Sequence, residues 1–343
     1  MDMSGKKNHS DGKKNHSDDL CELIRNGARK EEIEDYLKEN PKAVDKDDKG
    51  GLDPLIEAII CSILGVVNVI LNAYPEAAAE KDYVGRLPLH YAASNNSNLD
   101  IVKLIYRTYP EAAKVKDNNG NLPLHYAANR NENPDVVEII LDPEAAAEKV
   151  RMLLNVCPEA ATEKNNDGNL PLHVAAKHYN TEAVKLLLNV CPEAATEKNN
   201  DGNLPLHCAA KYDNTKAVKL LFKKNPRAIV IKDNNGKTPL EKSIQHSRYY
   251  VMKYSCIKDV IEFLESALET YMDSAPKEFI CPITQSIMED PVVAVDGNTY
   301  ERADIVQWFE DHDTSPLTNV ELESNNVVPN RALKSLIDSY MGK

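Results

Sequence analysis

Short apolar stretches alternate with polar turns along most of this chain, and the same order returns at an almost constant interval. The tetrapeptide Leu-Pro-Leu-His occurs four times, and two weaker copies keep the Pro-Leu pair. The prolines of the six copies lie at positions 54, 88, 123, 171, 205 and 239, so their spacings are 34, 35, 48, 34 and 34. A period near 34 residues is typical of stacked helical repeats. The sequence therefore predicts a solenoid.

Every repeat has the same predicted elements. An Asn-Asp-Gly tip such as 200–202 predicts a turn, because glycine tolerates a positive φ. The proline that follows suits the first position of a helix, where no backbone N–H is needed. Leu206, Ala209 and Ala210 then face one side of a short helix, and a second amphipathic helix follows around Val218. The unit is a turn followed by two packed helices.

This unit resembles the ankyrin repeat, whose pattern is a turn, Thr-Pro-Leu-His, two alanines and a Val-Val-x-Leu-Leu helix. Most copies here carry leucine in place of the threonine, which removes a side-chain helix cap worth about 1 kcal/mol. Thr238 and Asp53 keep a capping side chain. The recurrent histidines are expected to form hydrogen bonds between repeats rather than to bind a metal, and they are His90, His125, His173 and His207.

The resemblance sets the predicted domain boundaries. It covers residues 18–267 and indicates about six or seven repeats. An insertion near 136–150 accounts for the 48-residue spacing, and it either lengthens a helix or bulges from one face. The polar residues 1–17 are predicted to be a disordered tail, and residues 268–275 to be a linker.

Stacked repeats present an extended concave surface, so the resemblance implies binding of a protein partner. We expect its contacts on the turn tips and inner helices, where the candidate residues are Lys177, His178, Lys211 and Tyr212. Neither a nucleophile–base pair nor a phosphate-binding loop is evident in this part of the sequence.

The last 68 residues follow a different pattern. Residues 292–295 predict a strand, and Asp296 with Gly297 predicts a two-residue hairpin turn. A loop precedes this hairpin, and a helix, a second loop and another helix follow it. The closing helix is predicted to begin after Asn330 and to bury one apolar stripe, made of Leu333, Leu336, Ile337 and Tyr340.

This order of elements resembles the U-box, a RING-like fold without zinc. The matching motifs are Cys-Pro-Ile-Thr, Asp-Pro-Val, Asp-Gly-x-Thr-Tyr-Glu-Arg, Ile-x-x-Trp, Ser-Pro-x-Thr-Asn and Val-Pro-Asn-x-x-Leu, and they span residues 276–343 in order. The predicted fold class is therefore mostly α, with an ankyrin-repeat solenoid followed by a small α+β U-box domain.

The residues of this segment also favour a zinc-free fold. It contains one cysteine, Cys281, and one histidine, whereas a RING needs about eight such ligands for two tetrahedral zinc sites. We therefore expect no metal and no other cofactor. Hydrogen bonds and ion pairs would replace the zinc, with Glu301, Arg302, Asp290 and the threonine hydroxyls as candidate suppliers.

Resemblance to the U-box implies ubiquitin-protein ligase activity without a covalent intermediate, so no catalytic nucleophile is expected. In the family, a ubiquitin-charged conjugating enzyme docks on two loops and the central helix, which correspond here to Ile283, Trp308 and Pro316. The alternative is that Ile283 and Trp308 are ordinary core residues. Many related ligases position ubiquitin with an Arg or Lys three residues after the loop proline, where this chain has the shorter, uncharged Asn319.

Composition excludes several classes of partner and location. The 343 residues carry 54 acidic and 41 basic side chains, a formal charge of −13, which argues against nucleic acid and anionic membranes as partners. The seven cysteines form no Cys-x-x-Cys pair, and no apolar run reaches the roughly 20 residues of a membrane span. We expect a cytoplasmic location, with the nucleus as an alternative.

These features together predict a ligase that holds a ubiquitin-charged conjugating enzyme on its U-box and a substrate protein on its ankyrin repeats. It would promote transfer of ubiquitin to lysines of the substrate. The alternative is a non-catalytic protein-interaction scaffold with an inactive U-box, and Asn319 is the residue that keeps this alternative open.

Overall fold

The computed structural model describes residues 16–44, 53–94, 98–129, 143–249 and 256–342. The chain divides into two compact units, residues 1–166 and 167–343. The described helices of the first unit are α1 (His16–Arg25), α2 (Lys30–Glu39), α3 (Pro54–Ile60), α4 (Leu64–Ala73), α5 (Pro88–Ser94), α6 (Leu99–Thr108), α7 (Pro123–Ala128) and α8 (Pro143–Val156).

The second unit contains further helices and a small sheet. Its described helices are α9 (Pro171–Lys177), α10 (Thr181–Val190), α11 (Pro205–Lys211), α12 (Thr215–Lys224), α13 (Pro239–Tyr249), α14 (Cys256–Asp273), α15 (Arg302–Asp311) and α16 (Arg331–Tyr340). Its strands are β1 (Pro291–Ala294), β2 (Thr299–Glu301) and β3 (Val327–Pro329). None of the described helices is long and apolar enough to cross a membrane.

The repeats stack as two layers of helices within each unit. In the first unit, α1, α3, α5 and α7 pack in order as the inner layer, and α2, α4, α6 and α8 as the outer layer. In the second unit, α9, α11 and α13 form the inner layer, and α10, α12 and α14 the outer layer. This is the helical solenoid that the 34-residue period predicts.

The histidine of the repeated motif joins neighbouring repeats, as the sequence predicted. In three copies Nε2 donates to a backbone carbonyl of the next repeat, His90 to Asn121 (3.2 Å), His173 to Asn203 (3.0 Å) and His207 to Lys237 (3.1 Å). The Nδ1 atom must accept, because the backbone N–H of Leu204 donates to that of His207 at 3.1 Å. The same bond satisfies a helix N-terminus that lacks the usual threonine cap.

The turn tips require glycine where adjacent repeats meet. Gly202 has a φ of 76°, and a Cβ at this position would lie 2.7 Å from the backbone nitrogen of Asn234. That nitrogen donates to the carbonyl of Asp201 at 3.0 Å, so the two tips are hydrogen-bonded to each other. A side chain at residue 202 would therefore disrupt the stacking of the tips.

The ends of the repeat region differ in detail from the predicted boundaries. Residues 1–15 of the predicted tail lie outside the described residues, and α1 begins inside that tail at His16. The insertion lies partly outside them as well, since residues 136–142 are not described. Its described part belongs to α8, which has 14 residues where the equivalent α10 has 10. The described part of the insertion therefore lengthens this helix.

The predicted linker 268–275 is largely helical, because α14 continues to Asp273. The helix continues because its apolar side stays covered: Leu264 and Ala267 are buried, and Tyr271 packs on α16. The repeat region and the domain after it are therefore connected by a helix rather than by an extended segment.

The last domain is built on an antiparallel sheet in the order β2-β1-β3. Val292 in β1 lies opposite Tyr300 on one side and Pro329 on the other. The predicted Asp296-Gly297 turn is present, with Gly297 at a φ of 78°. The sequence did not predict β3. The buried core consists of Phe279, Cys281, Met288, Val292, Ala294, Tyr300, Ile305 and Ile337.

The prediction that Leu336 of α16 is buried is wrong. Leu336 is 59% exposed, whereas Ile337 is buried and Leu333 and Tyr340 pack against the core. These three lie at spacings of four and three residues and form one narrow stripe on the helix. Leu336 directly precedes Ile337 and so lies about 100° around the helix from it.

Candidate functional site

Two loops of the last domain have the same backbone hydrogen bonds. In loop one (Cys281–Ser286) the first residue donates to the carbonyl of the last at 2.8 Å, and Gln285 donates back to the first at 2.9 Å. In loop two (Ser315–Val320) the equivalent distances are 2.8 Å and 2.9 Å, with Asn319 in place of Gln285. Gln285 and Asn319 are both left-handed, with φ of 57° and 56°. The two loops are therefore structural counterparts.

Loop one is attached to the central helix α15 through Asp304. The Cys281 thiol donates to Asp304 Oδ2 at 3.2 Å, and the Thr284 hydroxyl donates to the same oxygen at 2.9 Å. Cys281 is buried and also accepts from the backbone N–H of Glu301 at 3.4 Å. The cysteine is thus a buried, hydrogen-bonded part of the loop rather than an accessible thiol.

Loop two is attached to the hairpin through Asp296. Ser315 and Tyr300 donate their hydroxyls to Asp296 Oδ2 at 2.6 Å and 2.7 Å, and the backbone of Asn298 donates to Oδ1 at 2.9 Å. Burial alone would raise the pKa of Asp296, but the hydrogen bonds from Ser315, Asn298 and Tyr300 outweigh it and lower that pKa. The Ser315 oxygen in turn accepts from the backbone of Leu317 and Thr318.

The residues predicted to stabilise the domain in place of zinc also form hydrogen bonds and an ion pair. Glu301 accepts from the backbone N–H groups of Glu289 (2.6 Å) and Asp290 (3.0 Å), and Arg302 pairs with Asp290 at 2.6 Å. The sequence did not identify Asp296, Asp304 or Ser315 in this role. In the part of the chain that the structure describes, no group of three or more His, Cys, Asp or Glu residues could hold a metal ion.

The predicted docking residues lie on and beside these loops. Ile283 in loop one and Trp308 on α15 are both half-buried and pack against the same core. The indole N–H of Trp308 donates to the carbonyl of Thr314, immediately before loop two, at 2.8 Å. The indole also stacks on His312, with ring centroids 4.1 Å apart. Pro316 is half-buried in loop two.

Loop two also exposes an apolar residue that is not among the docking residues predicted from the sequence. Leu317 is 54% exposed and occupies the position that Ile283 occupies in loop one. The signal was present, because Cys-Pro-Ile-Thr-Gln-Ser and Ser-Pro-Leu-Thr-Asn-Val align residue by residue. Asn319 is exposed two residues further on.

Three of the four candidate partner-binding residues on the repeats come together. The ammonium groups of Lys177 and Lys211 lie 5.3 Å and 5.2 Å from the ring centroid of Tyr212. His178 is half-buried, and burial together with the charge of Lys177 lowers its pKa to about 4. His178 is therefore neutral near pH 7.

Comparison with protein families supports both parts of this architecture. A family model for the U-box domain matches residues 275–343. A family model for ankyrin repeats (3 copies) matches residues 75–150, 144–230 and 172–260, which together cover more than half of the chain.

Individual relatives match over a short segment. U-box domain-containing protein 70 of Oryza sativa subsp. japonica is 51% identical over 70 residues, which are 20% of this chain and 9% of that protein. U-box domain-containing protein 36 of Arabidopsis thaliana is 54% identical over 67 residues, 19% of this chain and 15% of that protein. A probable bifunctional E2/E3 enzyme of Acanthamoeba polyphaga mimivirus is 50% identical over 73 residues, 21% of this chain and 6% of that protein.

The chain therefore spans between 6% and 15% of the length of these three relatives. The two family matches together extend over residues 75–343 with a gap of 14 residues, 261–274, between them. The chain belongs to the ankyrin-repeat proteins and carries a C-terminal U-box domain.

Proposed function

We propose that this chain is a U-box ubiquitin-protein ligase. The observation that carries the proposal is a U-box domain whose two loops and central tryptophan are held in place by hydrogen bonds. One relative that matches this chain is named a probable bifunctional E2/E3 enzyme, which agrees with a ligase function. The domain would bind a ubiquitin-charged conjugating enzyme, and the repeats would bind the substrate protein.

The docking surface for the conjugating enzyme would consist of Ile283, Trp308 and Pro316, together with Leu317. Aromatic and aliphatic anchors dominate the binding energy of small interfaces. The Trp308 N–H already has an acceptor in Thr314, so a partner can cover this side chain without leaving a polar atom unpaired. The hydrogen bonds of Asp296 and Asp304 fix the loops before binding, which reduces the entropic cost of association.

The transfer itself would occur on the conjugating enzyme, where a substrate lysine attacks the thioester. Cys281 is unsuited to carry ubiquitin, because it is buried and donates its S–H to Asp304. The U-box domain would position the reactants: it would hold the ubiquitin-charged conjugating enzyme, and Asn319, exposed on loop two, would face the ubiquitin. An asparagine can donate a hydrogen bond but supplies no charge.

The test is autoubiquitylation by the purified full chain with ubiquitin, activating enzyme and a panel of conjugating enzymes. Wild type should form ladders with at least one enzyme, and Trp308→Ala and Leu317→Ala should reduce them at least tenfold. Leu317 is exposed, so its substitution tests docking without opening the core. Leu336→Ala is the matched control, since Leu336 is equally exposed in the same domain but lies on α16.

Two results would contradict the proposal. Ladders that survive in both the Trp308 and the Leu317 variant would remove these two residues from the docking surface. A wild-type chain that binds conjugating enzymes but forms no ladder with any of them would favour the scaffold alternative, for which the uncharged Asn319 is the specific observation.

A further inference from the structure

The last repeats form a compact group of cationic and aromatic side chains on their inner helices. Three of these residues form what we call the lysine–tyrosine cluster: Lys177 at the end of α9, Lys211 at the end of α11, and Tyr212. Both ammonium groups lie within 5.3 Å of the centroid of the tyrosine ring. The His246 ring lies 5.8 Å from the same ring. A cavity of about 550 Å³ opens beside the cluster and is lined by Lys211, Tyr212, Lys242 and His246, among others.

Equivalent positions in the earlier repeats have different chemistry. In the first unit the residue after the histidine is a tyrosine that donates to an aspartate of its own turn, Tyr91 to Asp82 and Tyr126 to Asp117, each at 2.7 Å. In the two duplicated repeats the tyrosine is replaced by Val174 and Cys208, and the aspartate by Asn165 and Asn199. The residue after the alanine pair changes from Ser94 and Asn129 to Lys177 and Lys211.

The final repeat adds a lysine that is already neutralised. Lys242 pairs with the buried Asp233 at 2.5 Å and also contacts Asn203. By contrast, no carboxylate lies within salt-bridge distance of Lys177 or Lys211 among the residues that the structure describes. One acid, Asp201, lines the cavity and would face an incoming anion. The uncompensated charge therefore comes from the two lysines on the tyrosine ring.

The charges of these lysines act on two titratable side chains, although burial is the largest cause of the pKa shift in each. Burial raises the pKa of Cys208 to about 11, and the charges of Lys242, Lys177 and Lys211 act against this rise. Burial and Lys211 lower the pKa of His246. The histidine is thus neutral near pH 7, and the local charge comes from the lysines.

We infer that the lysine–tyrosine cluster is the docking site for an acidic segment of a partner protein, whose carboxylates pair with the ammonium groups of Lys177 and Lys211. Cation–π contact with Tyr212 holds both lysines near their binding positions, which lowers the entropic cost of pairing. The inference rests on the proposed function, because the bound protein would be the ligase substrate.

The charge of the whole chain favours a short acidic peptide over nucleic acid. A formal charge of −13 repels a polyanion at long range, and two lysines neutralise too few phosphates to overcome that repulsion. A peptide with one or two carboxylates feels much less repulsion and can still make the local contacts. Binding should weaken as salt increases, since both ammonium groups are exposed.

The experiment probes a randomised 12-residue peptide library with the purified full chain. Wild type should select peptides enriched in aspartate and glutamate, and Lys177→Glu/Lys211→Glu should lose that selection or change it to lysine and arginine. The matched control is Lys216→Glu/Lys223→Glu, which makes the same charge change at exposed positions of α12. For one selected peptide, the cluster variant should bind at least tenfold more weakly and the control within twofold of wild type.

Several results would overturn the inference. They are a library selection without acidic bias, an acidic selection that the cluster variant retains, and equal weakening by the control variant. A single-stranded oligonucleotide that competes as well as the selected peptide would also contradict it. Autoubiquitylation separates this inference from the proposed function: ladders formed by both wild type and cluster variant leave the ligase intact, whatever the library result.

Discussion

Tyr271 and Tyr340 exchange hydrogen bonds, since the hydroxyl of each donates to the backbone carbonyl of the other, at 3.2 Å and 2.7 Å. Their rings stack with centroids 4.8 Å apart and planes 13° from parallel. Tyr271 lies on the last turn of α14, and Tyr340 lies on α16 of the U-box. Phe279 packs edge-on against Tyr340, which extends the contact to the U-box core. The last repeat helix and the U-box therefore share one aromatic junction.

Substitution of Tyr340 should loosen this junction. Tyr340→Ala removes the stacked ring and one hydrogen bond, and should lower the free energy of unfolding of the U-box by about 2–3 kcal/mol. Tyr340→Phe should cost about 1 kcal/mol, because only the hydroxyl is lost. Hydrogen exchange in the last turns of α14 should accelerate in Tyr340→Ala. Tyr83→Ala, at an 87% exposed tyrosine of the first unit, is the control and should change neither quantity.

The sequence predicted what depends on local pattern. A 34-residue period fixed by Pro-Leu-His motifs identified the repeats and the bonding role of His207, because every copy presents the same local geometry. The helix cap at Asn330 was also predictable, and its side chain does accept from Leu333 at 3.1 Å. Features that repeat along the chain, and contacts between residues no more than four positions apart, could therefore be predicted from the sequence.

Contacts between distant residues could not be predicted in this way. The sequence marked Asp296 as a turn residue but gave no sign that Tyr300 and Ser315 share one of its oxygens. The predicted linker became a helix because Tyr271 finds a partner 69 residues later. Leu336 fitted the apolar pattern of α16 but is exposed, since the stripe through Ile337 already covers the core.

Asp296 should be essential for the stability of loop two. Asp296→Asn replaces one carboxylate oxygen by an amide donor, so Ser315 and Tyr300 lose a charged acceptor. We expect a loss of about 2–3 kcal/mol in the stability of the U-box. Folding lowers the pKa of Asp296. The carboxylate therefore stabilises the domain at pH values above its pKa in the unfolded chain, and this stabilisation is lost as pH falls through its pKa in the folded protein. Wild type and variant should converge in acid denaturation.

The matched control for Asp296 is an aspartate of the same domain without a hydrogen-bonded network. Asp311 is exposed at the end of α15, so Asp311→Asn should leave the unfolding free energy within about 0.5 kcal/mol of wild type. Equal denaturation midpoints for Asp296→Asn and wild type at pH 7 would show that the shared acceptor contributes nothing to stability.

Protonation of the repeat histidines should destabilise the solenoid in mild acid. Burial, and then the charge of Lys242, lower the pKa of His207 to about 4, from an unfolded value of about 6.5. The unfolded chain therefore binds more protons between these values, so stability is full above pH 6.5 and falls as pH decreases towards 4. At pH 5 the loss for His207 should be about 2 kcal/mol.

Nuclear magnetic resonance titration and thermal unfolding would check the histidine prediction together. The His207 ring should show no protonation above pH 5, and the melting temperature should fall between pH 7 and pH 5. A ring that titrates near pH 6.5 in the folded protein would refute it.

Introducing a charge at Asn319 should strengthen ubiquitin transfer. Asn319→Arg places a guanidinium on the exposed end of loop two, where it can donate several hydrogen bonds. We expect discharge of ubiquitin from the conjugating enzyme to free lysine to accelerate several-fold. The backbone is left-handed at this position, so the domain should lose about 1 kcal/mol of stability.

Loop one offers the control for Asn319. Gln285 has the same left-handed backbone and the equivalent hydrogen bond, so Gln285→Arg carries the same charge change. Its conformational cost is smaller, because glutamine lacks the preference of asparagine for this backbone. The prediction requires acceleration by the Asn319 variant alone. Equal acceleration by both variants would indicate a general effect of positive charge, and no acceleration by either would remove Asn319 from the ubiquitin-positioning role.

Asp213 should be a site where a single substitution stabilises the solenoid. Its carboxyl is buried between α11 and α12, and Oδ1 has no hydrogen-bond partner among the described residues. Burial raises the pKa of Asp213 to about 6, so the folded protein is penalised for holding the charge above that pH. The backbone is left-handed, with a φ of 57°, a conformation that asparagine adopts easily. Asp213→Asn should therefore add about 1–3 kcal/mol to the free energy of unfolding at pH 8.

The gain from Asp213→Asn should depend on pH. As pH falls from 6 to 3.8 the aspartate becomes protonated in the folded state and its penalty disappears, so the two proteins should reach equal stability near pH 4. Asp201→Asn, an exposed carboxyl in the same repeat, makes the same change in net charge and should have little effect at either pH. Urea denaturation of all three proteins at pH 8 and pH 4.5 measures this, and a gain that persists unchanged at pH 4.5 would mean that burial of charge is not its cause.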